Sequence, residues 1–402
     1  MIMDTYTIKK DVSSDKVIVA DDMFLTVDMP TTAGSKMLDG YMSLLESEAL
    51  TKLKSAGFAI GGKVSVGEFA IDLLGETYYK GSNANDGKLI NASAEIIKNG
   101  EAYSALCFDV NGYVRRAAAQ SNLVSIKPTY GTVSRYGTIP VACSGETVSV
   151  LASSASACED VLDVISGHDD KDGTSLSSEL CGKLKKDAEF KTVKRVAVLS
   201  DLIENVSEEV KAKIDEVVNI LKENGVEVVS INNSVIASSR PAWNVLMSAE
   251  LCNNVSRYDG VKYGYRAENF VGIDGLYTNS RTEAFGELLK TAIIFGSETL
   301  STENYMKVYD KCLRTRRVIC EEFAKVFGEF DAVLMPACST LSYSEEMVKS
   351  NKYLSFEENV YTAPASITGL PVVVAGGVQF VGAHFAERAL LDVAKLITKE
   401  GK

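Results

Sequence analysis

The sequence has 402 residues, 46% of them hydrophobic, and no window resembles the long uncharged apolar run of a membrane span. Its formal net charge of −12 would repel phosphate backbones, which argues against direct binding of nucleic acid by this chain. Two histidines and eight scattered cysteines without a CxxC pair provide no metal-ligand spacing and little material for a histidine-based triad. With no secretory signal pattern, these features predict a cytoplasmic protein with reduced thiols, no metal and no cofactor.

Strand and helix patterns alternate along the first part of the chain. Residues 16–20 predict a short buried strand, residues 46–56 an amphipathic helix, and residues 58–60 a second strand. Further helices are predicted at residues 89–98 and 156–165, each followed by a glycine-containing turn. This alternation is typical of a mostly parallel sheet with helices packed on its faces.

The later part of the chain continues the alternation. Residues 195–199, 207–224 and 226–231 form a clear strand–helix–strand pattern, with Ser207 as a plausible N-cap. The remaining predicted elements are helices at 242–255, 283–327 and 385–398 and strands at 331–335 and 372–374. We find no internal repeat, low-complexity tract or linker. Residues 1–402 are therefore expected to form one α/β domain, with a mixed, largely parallel central sheet covered by helices on both faces.

A glycine-punctuated loop in the middle of the chain indicates its relatives. Residues 127–131 read KPTYG and residues 134–137 read SRYG, a proline-fixed turn followed by a flexible loop. Further motifs occur in family order at residues 31–38, 62–70, 166–175, 256–264, 369–371 and 382–385. With these motifs the chain resembles the amidase signature family, most closely its branch of glutamyl-tRNA(Gln)/aspartyl-tRNA(Asn) amidotransferase A subunits. The resemblance implies the amidase signature fold, with the family's N-terminal helical segment missing or shortened.

The resemblance also locates the family's Ser-Ser-Lys triad, and all three positions are substituted. The position of the nucleophilic serine is Tyr113, that of the bridging serine is Leu89, and that of the basic lysine is Ala20. Alanine and leucine have no group that transfers a proton, and a phenol ring would fill the space left for an acyl group. The resemblance therefore implies that none of these three residues is catalytic.

The positions that would surround a substrate in the family differ as well. The turn whose N–H groups hold the oxyanion in the family lies at residues 109–112, with side chains where glycine is usual. The arginine and the carboxylate that grip glutamine in the family fall at Thr291 and Asn359. The expected former pocket comprises Asp109, Asn111, Gly112, Arg115, Thr291 and Asn359.

Other residues near these positions offer alternative chemistry. Lys63 with Ser65 is a weak serine–lysine pattern, which a structural turn explains as well. Cys107 lies beside an aspartate, and a carboxylate raises rather than lowers the pKa of a thiol. Arg115 and Arg116 could bind an anion in a vacated cleft, or form a salt-bridged or solvated pair.

Functions from different classes remain open at this point. The first is a catalytically degenerate subunit that binds a protein partner: an amidotransferase B or C subunit, or an active A subunit. The candidate partner-binding residues are Arg257, Tyr258, Asp259 and Tyr263, in a stretch that resembles the A subunits. The second is an active glutamine amidohydrolase or amidase that uses relocated residues. A small-molecule sensor in a remodelled pocket is the third.

Overall fold

The computed structural model describes residues 5–184 and 190–400 of the chain. The strands are β1 (Tyr6–Lys9), β2 (Val17–Asp21), β3 (Ala59–Val64), β4 (Ala84–Asn85), β5 (Lys88–Leu89), β6 (Ser104–Asp109), β7 (Val124–Lys127), β8 (Thr147–Ala152), β9 (Arg195–Leu199), β10 (Glu227–Ile231), β11 (Ala332–Pro336), β12 (Val372–Ala375) and β13 (Val378–Gly382). The α-helices are α1 (Glu48–Ser55), α2 (Ala92–Lys98), α3 (Tyr113–Ser121), α4 (Ala155–Ile165), α5 (Ser178–Cys181), α6 (Glu208–Glu223), α7 (Ser234–Ala237), α8 (Ser239–Val255), α9 (Gly272–Ala284), α10 (Glu287–Thr299), α11 (Asp310–Phe327), α12 (Glu345–Ser350), α13 (Leu354–Thr368) and α14 (Glu387–Thr398).

One 11-stranded sheet organises the protein, with strands in the order β1-β3-β2-β6-β8-β7-β12-β13-β11-β9-β10. Pairing is parallel along β3-β2-β6 and along β11-β9-β10, and antiparallel from β6 through the centre to β11. The predicted α/β fold with a mixed central sheet is confirmed. Its pairing differs from the expectation in that antiparallel pairs outnumber parallel ones. Short connections, such as the Gly376–Gly377 turn between β12 and β13, can join only antiparallel neighbours.

Helices cover both faces of this sheet. On one face α1 packs on α4, α4 on α14, and α14 on α6. On the other face α2 and α3 lie against the central strands, and α8, α10, α11 and α13 pack together as a helical cluster. The central strands β6, β8 and β12 are buried along their whole length, as expected for strands whose two faces both contact helices.

The strand–helix–strand unit predicted near residue 200 is confirmed. Strands β9 and β10 pair in parallel, and α6 connects them. The side chain of Ser207 accepts a hydrogen bond from the Val210 N–H and caps α6, as its position before the helix predicts. The elements predicted around residues 16–20 and 156–165 correspond to β2 and α4.

The longest predicted helix, at residues 283–327, is broken in the structure. α9 ends at Ala284, α10 begins after Gly286, and a π-helix at Tyr305–Tyr309 precedes α11. At the first break the Gly286 N–H donates to the Glu68 carboxylate over 2.8 Å. The hydrophobic pattern of residues 283–327 depends on local sequence only. It therefore could not predict a helix break that involves a contact with Glu68.

The sheet takes strands from most of the chain, from β1 to β13. The organisation of residues 1–402 as one domain stays a prediction. In the part of the chain that the structure describes, no helix combines the length and apolar character needed to cross a bilayer.

Candidate functional site

Tyr113 begins α3 just after β6 has ended. The backbone turns at Gly112, which has a left-handed φ of +88° and no room for a Cβ because Thr362 lies against it. The Tyr113 side chain points into the protein, where the residue is 1% exposed and its hydroxyl donates a hydrogen bond to the Asp21 carboxylate. The expected position of the nucleophile therefore holds a buried phenol bound to a carboxylate.

Asp21 follows Ala20 on β2 and lies at the centre of this hydrogen-bond cluster. Its carboxylate also accepts the backbone N–H of Phe108 (2.9 Å) and the hydroxyl of Ser93 (3.2 Å). Burial raises the pKa of Asp21 to about 7, and these hydrogen bonds oppose the shift. Burial and the neighbouring Asp21 also raise the pKa of the Cys107 thiol well above its usual value, so Cys107 is no thiolate nucleophile.

A buried ion pair closes the turn before Tyr113. Arg115 donates through Nε to Asp109 Oδ2 (2.8 Å) and through Nη2 to Asp109 Oδ1 (3.1 Å), and neither side chain is exposed. The same guanidinium donates to the Thr362 carbonyl oxygen (2.8 Å) and to Ser366 Oγ (2.6 Å) on α13. Of the two alternatives for Arg115, the structure therefore has the salt-bridged one, with the guanidinium donors directed at the protein itself.

Arg116 faces the interior as well. Its Nη2 donates to the Asp72 carbonyl oxygen (3.0 Å) and its Nε to the Leu73 carbonyl oxygen (3.3 Å). Burial, followed by the neighbouring Glu76, raises the pKa of the Asp72 carboxyl to about 8. Arg116 thus hydrogen-bonds the loop that contains Asp72, whereas Arg115 hydrogen-bonds α13. Neither guanidinium faces a vacated cleft.

Asn111 connects the turn to helices α8 and α13. Its Nδ2 donates to the Ile71 carbonyl oxygen (2.9 Å), and its Oδ1 accepts the Trp243 indole N–H (2.9 Å). The buried amide of Asn359 donates through Nδ2 to Asn244 Oδ1 over 2.7 Å. Asn111 and Asn359 therefore each hydrogen-bond a side chain of α8.

Lys63 lies on β3 directly beside Ala20 of β2. Its Nζ donates to the Pro30 carbonyl oxygen (2.8 Å) and to the Thr31 hydroxyl, and the side chain is fully buried. Burial lowers the pKa of Lys63 to about 8, while the Asp22 carboxylate opposes that shift. This amine has the lowered pKa of a potential base, but it is fully buried and contacts Pro30, Thr31 and Asp22.

Ser65 and Leu89 do not complete a serine–lysine pair. Ser65 Oγ accepts Asn83 Nδ2 (2.8 Å), and the buried Leu89 accepts Gln120 Nε2 at its carbonyl oxygen (3.0 Å). Within residues 5–184 and 190–400, no hydrogen bond joins a lysine ammonium to a serine hydroxyl. Among the described residues, no accessible serine nucleophile therefore lies next to a lysine base near Tyr113.

The predicted pocket residues are only partly brought together. Thr291 lies on α10 and, with Asn244, lines an open groove of about 460 Å³. The residues that meet in the buried cluster are Asp109, Asn111, Gly112, Arg115 and Asn359. Sequence reasoning missed Asp21 and Trp243 as members of this cluster. The available signals were the position of Asp21 next to Ala20 and the fact that Trp243 is the only tryptophan.

The predicted partner-binding residues are divided between core and surface. Tyr258 is 3% exposed, and its ring lies 5.6 Å from that of Phe69. Tyr263 is 38% exposed and packs edge-on against Tyr258, with ring centroids 6.1 Å apart. Arg257 is exposed and Asp259 partly so. A partner can therefore reach Arg257, Asp259 and Tyr263, whereas the core surrounds the Tyr258 ring. A partner-binding role for this stretch stays a prediction.

Known proteins resemble this chain over most of its length. The A subunit of the glutamyl-tRNA(Gln) amidotransferase of Acinetobacter baumannii is 33% identical over 395 residues, which cover 92% of this chain and 80% of that protein. The corresponding protein of Lachnoclostridium phytofermentans is 33% identical over 405 residues, covering 94% of this chain and 81% of that one. The crystal structure of the A subunit from Thermotoga maritima has a TM-score of 0.79 and 25% identity, covering 98% of this chain and 86% of that one.

The general family model agrees with these individual comparisons. The model described as Amidase matches residues 17–391, which include every strand of the central sheet except β1. The two sequence relatives, the structural neighbour and the ordered motifs all point to the same group. We conclude that the chain belongs to the amidase signature family.

Proposed function

We propose that this protein is a catalytically inactive member of the family that has a binding or scaffold role in a complex. The observation that supports this most directly is the Tyr113 phenol, 1% exposed and hydrogen-bonded to Asp21 where the family has its nucleophile. Acyl transfer needs an activated nucleophile that a substrate can reach. The Tyr113 ring is buried, so a substrate cannot reach its hydroxyl, and the hydrogen bond to Asp21 does not change that.

The other two triad positions support the same proposal. Ala20 and Leu89 are buried, and neither side chain can accept or donate a proton. The lysine beside Ala20 on the neighbouring strand, Lys63, donates to the Pro30 carbonyl oxygen and has no exposed surface. This argues against the alternative of an active amidase that uses relocated residues.

The partner we propose is another component of an amidotransferase. The relatives that resemble this chain over most of its length are named as the A subunit of glutamyl-tRNA(Gln) amidotransferase. By analogy, this chain would bind the B or C subunit of such an enzyme, or an active A subunit. Arg257, Asp259 and Tyr263 are the reachable residues of the stretch that resembles the A subunits and would contribute to the contact.

Ammonia release from glutamine and from simple amides tests the loss of activity. We expect no release above background from the wild type or from Tyr113→Ser, because residues 20 and 89 would still provide neither base nor relay. A catalytically active A subunit serves as the positive control. Turnover by Tyr113→Ser alone would contradict the proposal. Turnover by the wild type that survives Tyr113→Ala would support relocated chemistry instead.

Size-exclusion chromatography with purified B, C and active A subunits tests the scaffold role. We expect co-elution with at least one of them, weakened by Arg257→Glu and by Tyr263→Ala. The matched control is Tyr353→Ala, which changes another exposed tyrosine (56%) outside the predicted segment. If none of the three proteins co-elutes above background, the scaffold role is wrong even where the loss of activity holds.

A further inference from the structure

An open groove between α8, α10 and α13 lies outside the buried cluster, and the scaffold role makes no use of it. Its volume of about 460 Å³ falls in the range of small-molecule sites. Five of its lining residues on α8 recur at helical spacing from Arg240 to Ser248, so one face of that helix forms the floor. Phe295 of α10 and Phe356 of α13 form apolar walls.

The groove is built on closely packed helices. α8 and α10 approach so closely that a Cβ at Gly296 would overlap the Ser248 carbonyl oxygen. Asn244 Nδ2 donates to the Phe356 carbonyl oxygen over 3.1 Å and ties α8 to the start of α13. The floor and one wall are therefore held in place before any ligand binds, which lowers the entropic cost of binding.

The floor of the groove contains a polar group without a partner. Ser248 is 1% exposed, lines the groove, and its hydroxyl has no hydrogen-bond partner among the residues that the structure describes. Buried hydroxyls in folded proteins usually have a partner, and the Ser248 hydroxyl is one of twelve buried side-chain atoms without one among the described residues. Unlike a bonded hydroxyl, it can form a hydrogen bond with a ligand without breaking one in the protein. The neighbouring Thr291 hydroxyl donates to the Glu287 carbonyl oxygen (2.9 Å) and keeps acceptor capacity.

The positively charged Arg240 lies at the other end of the same face of α8. Arg240 precedes Ser248 by two helical turns, roughly 12 Å along the axis. It forms no ion pair with any residue in 5–184 or 190–400, and its one hydrogen bond, to the Glu357 carbonyl oxygen, is 3.5 Å long. The Glu357 carboxylate is itself occupied, since it accepts Asn351 Nδ2 over 2.8 Å. The guanidinium therefore remains available to an anion.

We propose that this groove binds a small aryl carboxylate that carries a hydroxyl group at its far end. The carboxylate pairs with the Arg240 guanidinium, the ring lies between Phe295 and Phe356, and the hydroxyl hydrogen-bonds Ser248. The ligand is bound and not cleaved, because Asn244 and Asn359 lie between the groove and the turn that precedes Tyr113. This site does not depend on the scaffold role, and either proposal can fail without the other.

Calorimetric titration of the full chain with 3-(4-hydroxyphenyl)propionate tests the site. We expect saturable binding with one site, and affinity about tenfold lower in Arg240→Gln, which removes the charge. Ser248→Ala should reduce the affinity for this probe to that for 3-phenylpropionate, which lacks the hydroxyl, and leave the affinity for 3-phenylpropionate unchanged. Arg314→Gln, an exposed arginine on α11, is the matched control and should bind as the wild type does.

Thermal unfolding of each variant checks that loss of binding is not loss of folding. Should Arg240→Gln fail to fold, Ser248→Ala with the two probes still decides the question. Three results would overturn the proposal: no saturable binding at millimolar probe, wild-type affinity in both variants, or tighter binding of the cation tyramine than of the acid. Binding that follows the expected pattern, with the probe recovered unchanged, would establish the site.

Discussion

The buried cluster around Tyr113 and the groove between α8, α10 and α13 use similar side chains in opposite ways. In the cluster, Arg115 spreads its donors over Asp109, Thr362 and Ser366, so the polar groups satisfy one another. In the groove, Arg240 has no ion pair among the described residues and the Ser248 hydroxyl no partner. A polar group bonded to the protein stabilises the fold, whereas one left without a partner is available to a ligand.

The largest expected effect comes from breaking the buried ion pair. Arg115→Ala should lower the free energy of unfolding by about 3–5 kcal/mol, because it leaves the Asp109 carboxylate buried without its charge partner. Arg317→Ala removes an arginine that is 83% exposed and paired with Glu321, and should change stability by less than about 0.5 kcal/mol. Urea unfolding measures both. If Arg115→Ala lowers the free energy of unfolding by less than about 1 kcal/mol, the Arg115–Asp109 ion pair does not stabilise the cluster as proposed.

The next effect tests the turn before α3. Gly112→Ala should cost about 3 kcal/mol or more, because the residue has φ +88° and its new methyl group would overlap Thr362. Gly57→Ala is a close control: its φ is +87°, but nothing lies within 4 Å of the added carbon. That variant should lose only the conformational part, about 1 kcal/mol. Equal losses in the two variants, measured by urea unfolding, would show that Thr362 does not restrict the turn.

Two buried serines provide the sharpest contrast between the regions. Ser366 and Ser248 are each 1% exposed, but Ser366 Oγ accepts from Arg115 whereas Ser248 Oγ has no partner among the described residues. Ser366→Ala should therefore cost about 2 kcal/mol, and Ser248→Ala should be near neutral. Differential scanning calorimetry without ligand measures this difference. A comparable loss in Ser248→Ala would mean that its hydroxyl is satisfied in the free protein.

The smallest effect depends on pH. Burial raises the pKa of Asp21 from 3.8 to about 7, so the folded state retains a proton that the unfolded chain has released. The contribution of Asp21 to stability is therefore greatest below about pH 4 and falls as pH rises through about 7. Relative to the wild type, Asp21→Asn should gain about 1 kcal/mol between pH 4.5 and pH 5.5, because in this window the unfolded aspartate has largely ionised and the folded one has not.

Unfolding titrations at several pH values measure that gain. The control variant Asp15→Asn changes an exposed aspartate and should follow the wild type throughout. Asp22, whose pKa burial raises to about 6, titrates in the same range and interacts with the Asp21 charge. Its contribution cancels between the wild type and Asp15→Asn, whereas the difference for Asp21→Asn includes the loss of that interaction. A constant difference between Asp21→Asn and the wild type from acid to neutral pH would contradict the assignment.

Local features of the sequence were sufficient for much of the fold. The periodicities of β9, α6 and β10 and the Ser207 cap predicted that unit, because helices, strands and caps depend on residues within a few positions of each other. The α13 helix contains Pro364 and was not predicted, since proline normally ends a helix pattern. The length of the antiparallel centre of the sheet was also missed, because pairing is decided between strands rather than within them.

The sequence by itself determined the family and many of the elements, and its resemblance to that family led to the prediction that Ala20, Leu89 and Tyr113 stand at the triad positions. Only the tertiary structure decided which groups surround these positions. Tyr113 hydrogen-bonds Asp21, which is 92 residues away in the sequence, and Arg115 hydrogen-bonds the Thr362 carbonyl oxygen, which is 247 residues away. The reason is physical: a residue's type states which hydrogen bonds it needs, but only the packing of distant segments selects the atoms that provide them.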